Sequence, residues 1–195
     1  YDTDEPDDPD DQPGDPYGHG GKEGEQLIGD VWWDFDQRHI NTYPKLEYGG
    51  EETSPSYDVD TEVKTQGEAA NVVTVGKTIR KGQPNTLYMW CHALEMRDLT
   101  TYEYLEFDLW LQDASALTKL VVRWGSGGVD GAEAVYIGQG DMGQTPIYKT
   151  RWLKDGWNHI VIPLSAFAKV VDSQYIPEAA QKVRIALGFR EAAAD

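Results

Sequence analysis

Hydrophobic and polar positions alternate with a period of two along much of the chain, most clearly over Tyr104 to Gln112 (YLEFDLWLQ). There Leu105, Phe107, Leu109 and Leu111 interleave with Glu106, Asp108, Trp110 and Gln112. Successive side chains of an extended backbone point to opposite faces, so this segment reads as a strand with one face in a core and the other wet. Leu87 to Ala93 (LYMWCHA) has the same period, setting Leu87, Met89, Cys91 and Ala93 against Tyr88, Trp90 and His92. Lys119 to Trp124, Trp157 to Leu164 and Lys182 to Phe189 repeat it. Further strands are expected over Asp30 to Asp36, Tyr57 to Thr65, Asn71 to Ile79, Ala134 to Gly138 and Ile147 to Trp152, separated by Gly-Gly, Lys-Gly-Gln-Pro, Gly-Ser-Gly-Gly and Lys-Asp-Gly turns. Ser165 to Val170 and Pro177 to Gln181 are the only helical segments expected, and both are too short to form a layer. Residues 37 to 56 and 125 to 147 read as long irregular stretches. The fold class that follows is all-β: a β-sandwich of two antiparallel sheets with Greek-key or jelly-roll wiring.

Charge divides the chain in two. Of the net −17, residues 1 to 26 carry −9, from ten acids and one lysine, leaving −8 for the other 169 residues. The first segment is nearly devoid of apolar side chains and rich in Asp, Pro and Gly, so it cannot offset the entropy of ordering, and it reads as a disordered acidic linker. Residues 27 to 195 then form one domain, long enough to bury roughly 70% of the unfolded surface. An acidic chain without a basic stretch is repelled by phosphate backbones, which excludes nucleic acid. No run reaches the ~20 apolar residues that a membrane-spanning helix needs. A single cysteine, Cys91, excludes an intramolecular disulfide.

The phrases Asp-Phe-Asp (34 to 36), LTTYEYLEFDLWL (99 to 111), LVVRW (120 to 124), DGWNHIVIPLSAF (155 to 167) and KVRIALGF (182 to 189) together resemble carbohydrate-binding modules of the galactose-binding-domain-like β-sandwich type. The similarity spans roughly residues 30 to 189. It implies a jelly-roll sandwich, a non-catalytic role in binding a plant or microbial polysaccharide or oligosaccharide, and attachment to other domains of a larger glycan-active protein. It also implies one structural calcium ion near the first strand, with Asp34 and Asp36 as the matching acids. The Asp-rich leading segment resembles the stretch behind a bacterial lipoprotein anchor, so a secreted or cell-surface location is expected.

A pyranose offers an apolar C–H face to an aromatic ring and a rim of hydroxyls to donors and acceptors. Trp110, on the wet side of its strand between Asp108 and Gln112, offers that combination, as does the row Tyr88, Trp90 and His92. Arg123 points away from Leu120, Val122 and Trp124. If these strands share a sheet, one binding face collects Tyr88, Trp90, His92, Glu106, Asp108, Trp110, Gln112 and Arg123. The alternative is a loop rim using Tyr43, Tyr48, Asp130, Tyr136 and Asp141, with Trp152 able to serve either.

Other chemistries fit less well. GQGDMG (138 to 143) has dinucleotide-loop spacing, but Gln144, Thr145 and Pro146 follow where a helix would have to open. The four histidines show neither His-x-His nor His-Glu-x-x-His spacing. Glu106 and Asp108, two residues apart on one face, are spaced for a retaining glycosidase, which keeps a small glycanase or lyase as an alternative beside a protein-binding adhesion domain.

Overall fold

The computed structural model describes residues 31–33, 35, 42–48, 51–53, 55–65, 68–74, 85–148 and 153–189. The acidic segment, Asp34, Asp36 and Trp152 lie outside these residues, and with them the expected linker and calcium ligands. The described chain is all-β. Its strands are β1 (Thr42–Tyr48), β2 (Glu51–Thr53), β3 (Ser56–Asp60), β4 (Ala70–Thr74), β5 (Asn85–Arg97), β6 (Tyr104–Leu111), β7 (Leu117–Gly125), β8 (Ala132–Ile137), β9 (Gly156–Pro163), β10 (Ala168–Lys169) and β11 (Ala180–Phe189). A seven-stranded sheet runs in the order β10-β8-β7-β11-β5-β1-β2, while β3 pairs with β4 and β6 pairs with β9. All of these pairings are antiparallel.

The period-two pattern sorts the layers. Leu105, Phe107, Leu109 and Leu111 of β6 and Ile160 and Ile162 of β9 pack in one cluster with Leu87 of β5, Leu120, Val122 and Trp124 of β7, and Val183 and Leu187 of β11. The core therefore lies between the seven-stranded sheet and the β6–β9 pair, an arrangement consistent with a sandwich. On the other face of the large sheet, Val121, Val135 and Ala186 form a separate small cluster that Tyr88 flanks.

The turn chemistry is specific. Gly156 has φ +87°, the left-handed region that a Cβ disfavours, and it opens β9 at the Lys-Asp-Gly turn. Two residues on, buried Asn158 accepts from the Lys154 N–H (2.9 Å) and donates to the Lys154 and Gly156 carbonyls (2.8 and 3.1 Å), fastening the turn to the strand it begins. Leu164–Ala166 and Pro177–Ala179 are single 3-10 turns, so the short helical segments reduce to corners. Strand β3 stops at Asp60 rather than reaching Thr65. The Asp60 carboxylate accepts from the Glu62 and Val63 N–H groups and turns the chain there.

Residues 37 to 56 are not the irregular stretch expected, because they contain β1 and β2. Pro44, which has no N–H to donate, sits within β1 opposite Met89, and that proline is what disguises the strand in the sequence. Among the described residues no helix is long and apolar enough to cross a membrane.

Candidate functional site

Register places the polar side chains of the large sheet. Trp90 of β5 is opposite Arg184 of β11, Arg184 is opposite Arg123 of β7, and Arg123 is opposite Glu133 of β8. Directly paired residues share a face, so these four form a row across the sheet on the side away from the core. A parallel row holds Tyr88, Ala186, Val121 and Val135, and His92 is opposite Lys182.

The charges of this face interlock. Glu133 is fully buried; its carboxylate accepts from Arg123 Nε (2.5 Å) and from the Met142 N–H (3.3 Å). Arg123 also reaches Asp141 (2.5 Å) and Asp130 (3.4 Å). Asp130 further holds Arg184 (2.6 Å) and the buried Lys182 (2.9 Å), whose ammonium also donates to the Gly128 carbonyl (2.9 Å). Asp141 meets Lys119 at 3.0 Å.

Burial opposes ionisation of Asp141, yet hydrogen bonds and charge from Lys119 and Arg123 outweigh it and hold its carboxyl below the usual range. Burial likewise works against the Arg123 cation, but Glu133 and Asp141 overcome it and raise its pKa. The balance for Arg184 is reversed: burial, with Arg123 adding to it, lowers its pKa despite Asp130.

The glycines of GQGDMG belong to this network. A Cβ on Gly140 would stand 2.1 Å from the Glu133 carboxylate, and Gly138 and Gly143 have φ of +75° and +68°. Their spacing thus lets a turn lie against Glu133 and present Asp141 to Arg123 and Lys119. It serves the sheet's own charges, in keeping with the rejected dinucleotide reading.

Aromatic rings border the cations. The Arg184 guanidinium lies 4.8 Å from the Trp90 ring centre and 5.0 Å from that of Tyr88, and Lys182 Nζ is 5.2 Å from Trp90. Trp90 stacks on His92 with centroids 5.9 Å apart and planes 6° apart. Burial, reinforced by Lys182, lowers the His92 pKa and favours the neutral ring. All three rings are half-buried.

The expected single face is corrected by the topology. Tyr88, Trp90, His92 and Arg123 do come together, but Glu106, Asp108 and Trp110 lie on β6, whose partner is β9 and not a strand of the large sheet. Alternation tells which side of its own sheet a residue occupies, but not which sheet; that depends on pairing at long range. Gln112 follows the end of β6 and is exposed.

The outer face of the β6–β9 pair holds a smaller group. Asp108 is opposite His159 and accepts a hydrogen bond from the Thr65 hydroxyl; its other oxygen meets His159 Nδ1 at 2.8 Å. Burial alone would raise the Asp108 pKa, but these partners bring it below the usual value. His159 Nε2 is 3.9 Å from Glu106, and Trp110, 44% exposed, stands alongside opposite Trp157. The Thr65 hydroxyl thus bonds the acid rather than the imidazole, which is not the order in which a histidine activates a hydroxyl nucleophile.

Glu133, Asp130, Asp141, Lys182 and Arg184 were not singled out from the sequence as members of the large-sheet face, although Asp130 and Asp141 figured among the rim candidates. A signal for two of them was present: in KVRIALGF, Lys182 and Arg184 alternate with Val183 and Ile185 and so face away from the core. Glu133 was hidden in the apolar run AEAVYI, all of which is buried. Among the described residues no group of three or more His, Cys, Asp or Glu side chains is placed to hold a metal ion. No family model, curated protein or solved structure matches the chain.

Proposed function

We propose that this protein is a non-catalytic carbohydrate-binding module with a jelly-roll sandwich fold, acting in an exported glycan-degrading system and holding polysaccharide on the outer face of its seven-stranded sheet. The observation that carries the reading is the adjacency on that face of an aromatic file, Tyr88, Trp90 and His92, and a fixed network of hydrogen-bonding side chains centred on Arg123 and Arg184. The rings supply stacking surface for a pyranose, and the ion pairs hold donors and acceptors still, which reduces the ordering cost of binding. Trp110, with Asp108, Glu106 and His159 beside it, provides a second, smaller platform of the same mixed character on the β6–β9 layer.

The test is affinity electrophoresis and titration calorimetry against xylan, glucan, mannan, xyloglucan and pectin, comparing the wild type with Tyr88→Ala and Trp110→Ala. Binding that is weakened by Tyr88→Ala and kept by Trp110→Ala assigns the large-sheet face; the opposite result moves the site to β6–β9. Absence of binding to every polysaccharide would reject the reading in favour of a protein-binding role.

A further inference from the structure

We infer that the glycan accepted by the seven-stranded face is acidic, its uronate carboxylate meeting Arg184 beside the Trp90 and Tyr88 rings; this rests on the carbohydrate reading above. The ion pairs of the face are unevenly matched. Glu133 and Asp141 are committed to Arg123, and Asp141 to Lys119 as well. On the aromatic side, Lys182 and Arg184 share a single carboxylate, Asp130, which is also within 3.4 Å of Arg123. Among the described residues Arg184 makes one ion pair, through one terminal nitrogen, and its buried Nε meets no acceptor.

Among the described residues, two cations against one shared acid leave a positive excess over Trp90 and Tyr88, in a chain whose net charge is −17. A half-compensated cation in a poorly solvated place gains more from a carboxylate than from a hydroxyl, because the carboxylate adds a full opposite charge and a two-oxygen acceptor matched to the guanidinium. The lowering of the Arg184 pKa by burial and by Arg123 points the same way. A uronic acid residue presents both required surfaces, a pyranose face for the rings and a carboxylate for the guanidinium. A neutral hexose or pentose presents only the first.

The experiment alters the ligand rather than the protein. Calorimetry of the full chain is run with polygalacturonate and glucuronoxylan, with the same polymers after reduction of their carboxyls to alcohols, and with neutral glucan and mannan. The expected result is binding of at least one uronate polymer that falls about tenfold or more on carboxyl reduction. Arg184→Gln should remove this preference, and Arg184→Lys, which keeps the charge, should retain part of it. Equal binding of native and reduced polymers, or preference for the neutral ones, would overturn the acidic-glycan inference while leaving the carbohydrate reading in place. Binding to no polymer at all would overturn both.

Discussion

Glu133 has no contact with solvent, and the arginine that faces it across the strands is itself largely buried. A buried pair of this kind gives little net stability over an apolar pair, but removing one partner strands the other charge in a poorly solvated place. Glu133→Ala is therefore expected to cost about 3–5 kcal/mol, measured by urea unfolding, a loss out of proportion to the volume removed. Combining it with Arg123→Leu should recover part of that loss, because the double variant leaves no orphan charge. If the two losses instead add in full, the pair is not coupled as its geometry requires. Asp141 differs: it is more than half exposed, and water can replace Arg123 and Lys119 as its partner.

At the level of elements, the DGWNHI phrase acts through its turn. Asn158→Ala should remove bonds to three backbone groups around Gly156 and destabilise the protein by about 1–3 kcal/mol, with amide exchange accelerated first at the start of β9. Other elements show how far the sequence could be read. The facing of β5 and β6 was legible because Leu, Met and Phe alternate there with aromatic and acidic residues, and the alternation correctly put Tyr88, Trp90 and His92 away from the core. Strand β1 was not legible, since TYPKLEY mixes charges with a proline and draws its pairing from β5, some forty residues further along. The candidate site was half legible for the same reason. Parity found Arg123, but only the insertion of β11 between β5 and β7 brings Arg184 against Trp90, and nothing local to either strand encodes that insertion.

Across the whole molecule, proton binding couples the site to stability. The folded state holds the His92 pKa below its ordinary 6.5, so the unfolded chain binds a proton more readily; stability contributed by the neutral ring is present above about 6.5 and is lost as pH falls through the folded value. Asp108 and Asp141, lowered from 3.8, add a second loss at more acidic pH as each is protonated. Thermal melts of the wild type and His92→Gln should diverge as pH falls below about 6.5, the variant losing less. Curves parallel throughout would show that His92 titrates alike in both states. The position of β11 has a kinetic meaning as well. It lies between β5, some ninety residues earlier, and β7, so the sheet cannot close until the chain has been made as far as Phe189. Pairings so distant in sequence are slow to form, on the order of milliseconds to seconds. The arginine that completes the aromatic face thus arrives with the last of the described strands, and a nascent or threaded chain has no such face until β11 has paired with β5 and β7.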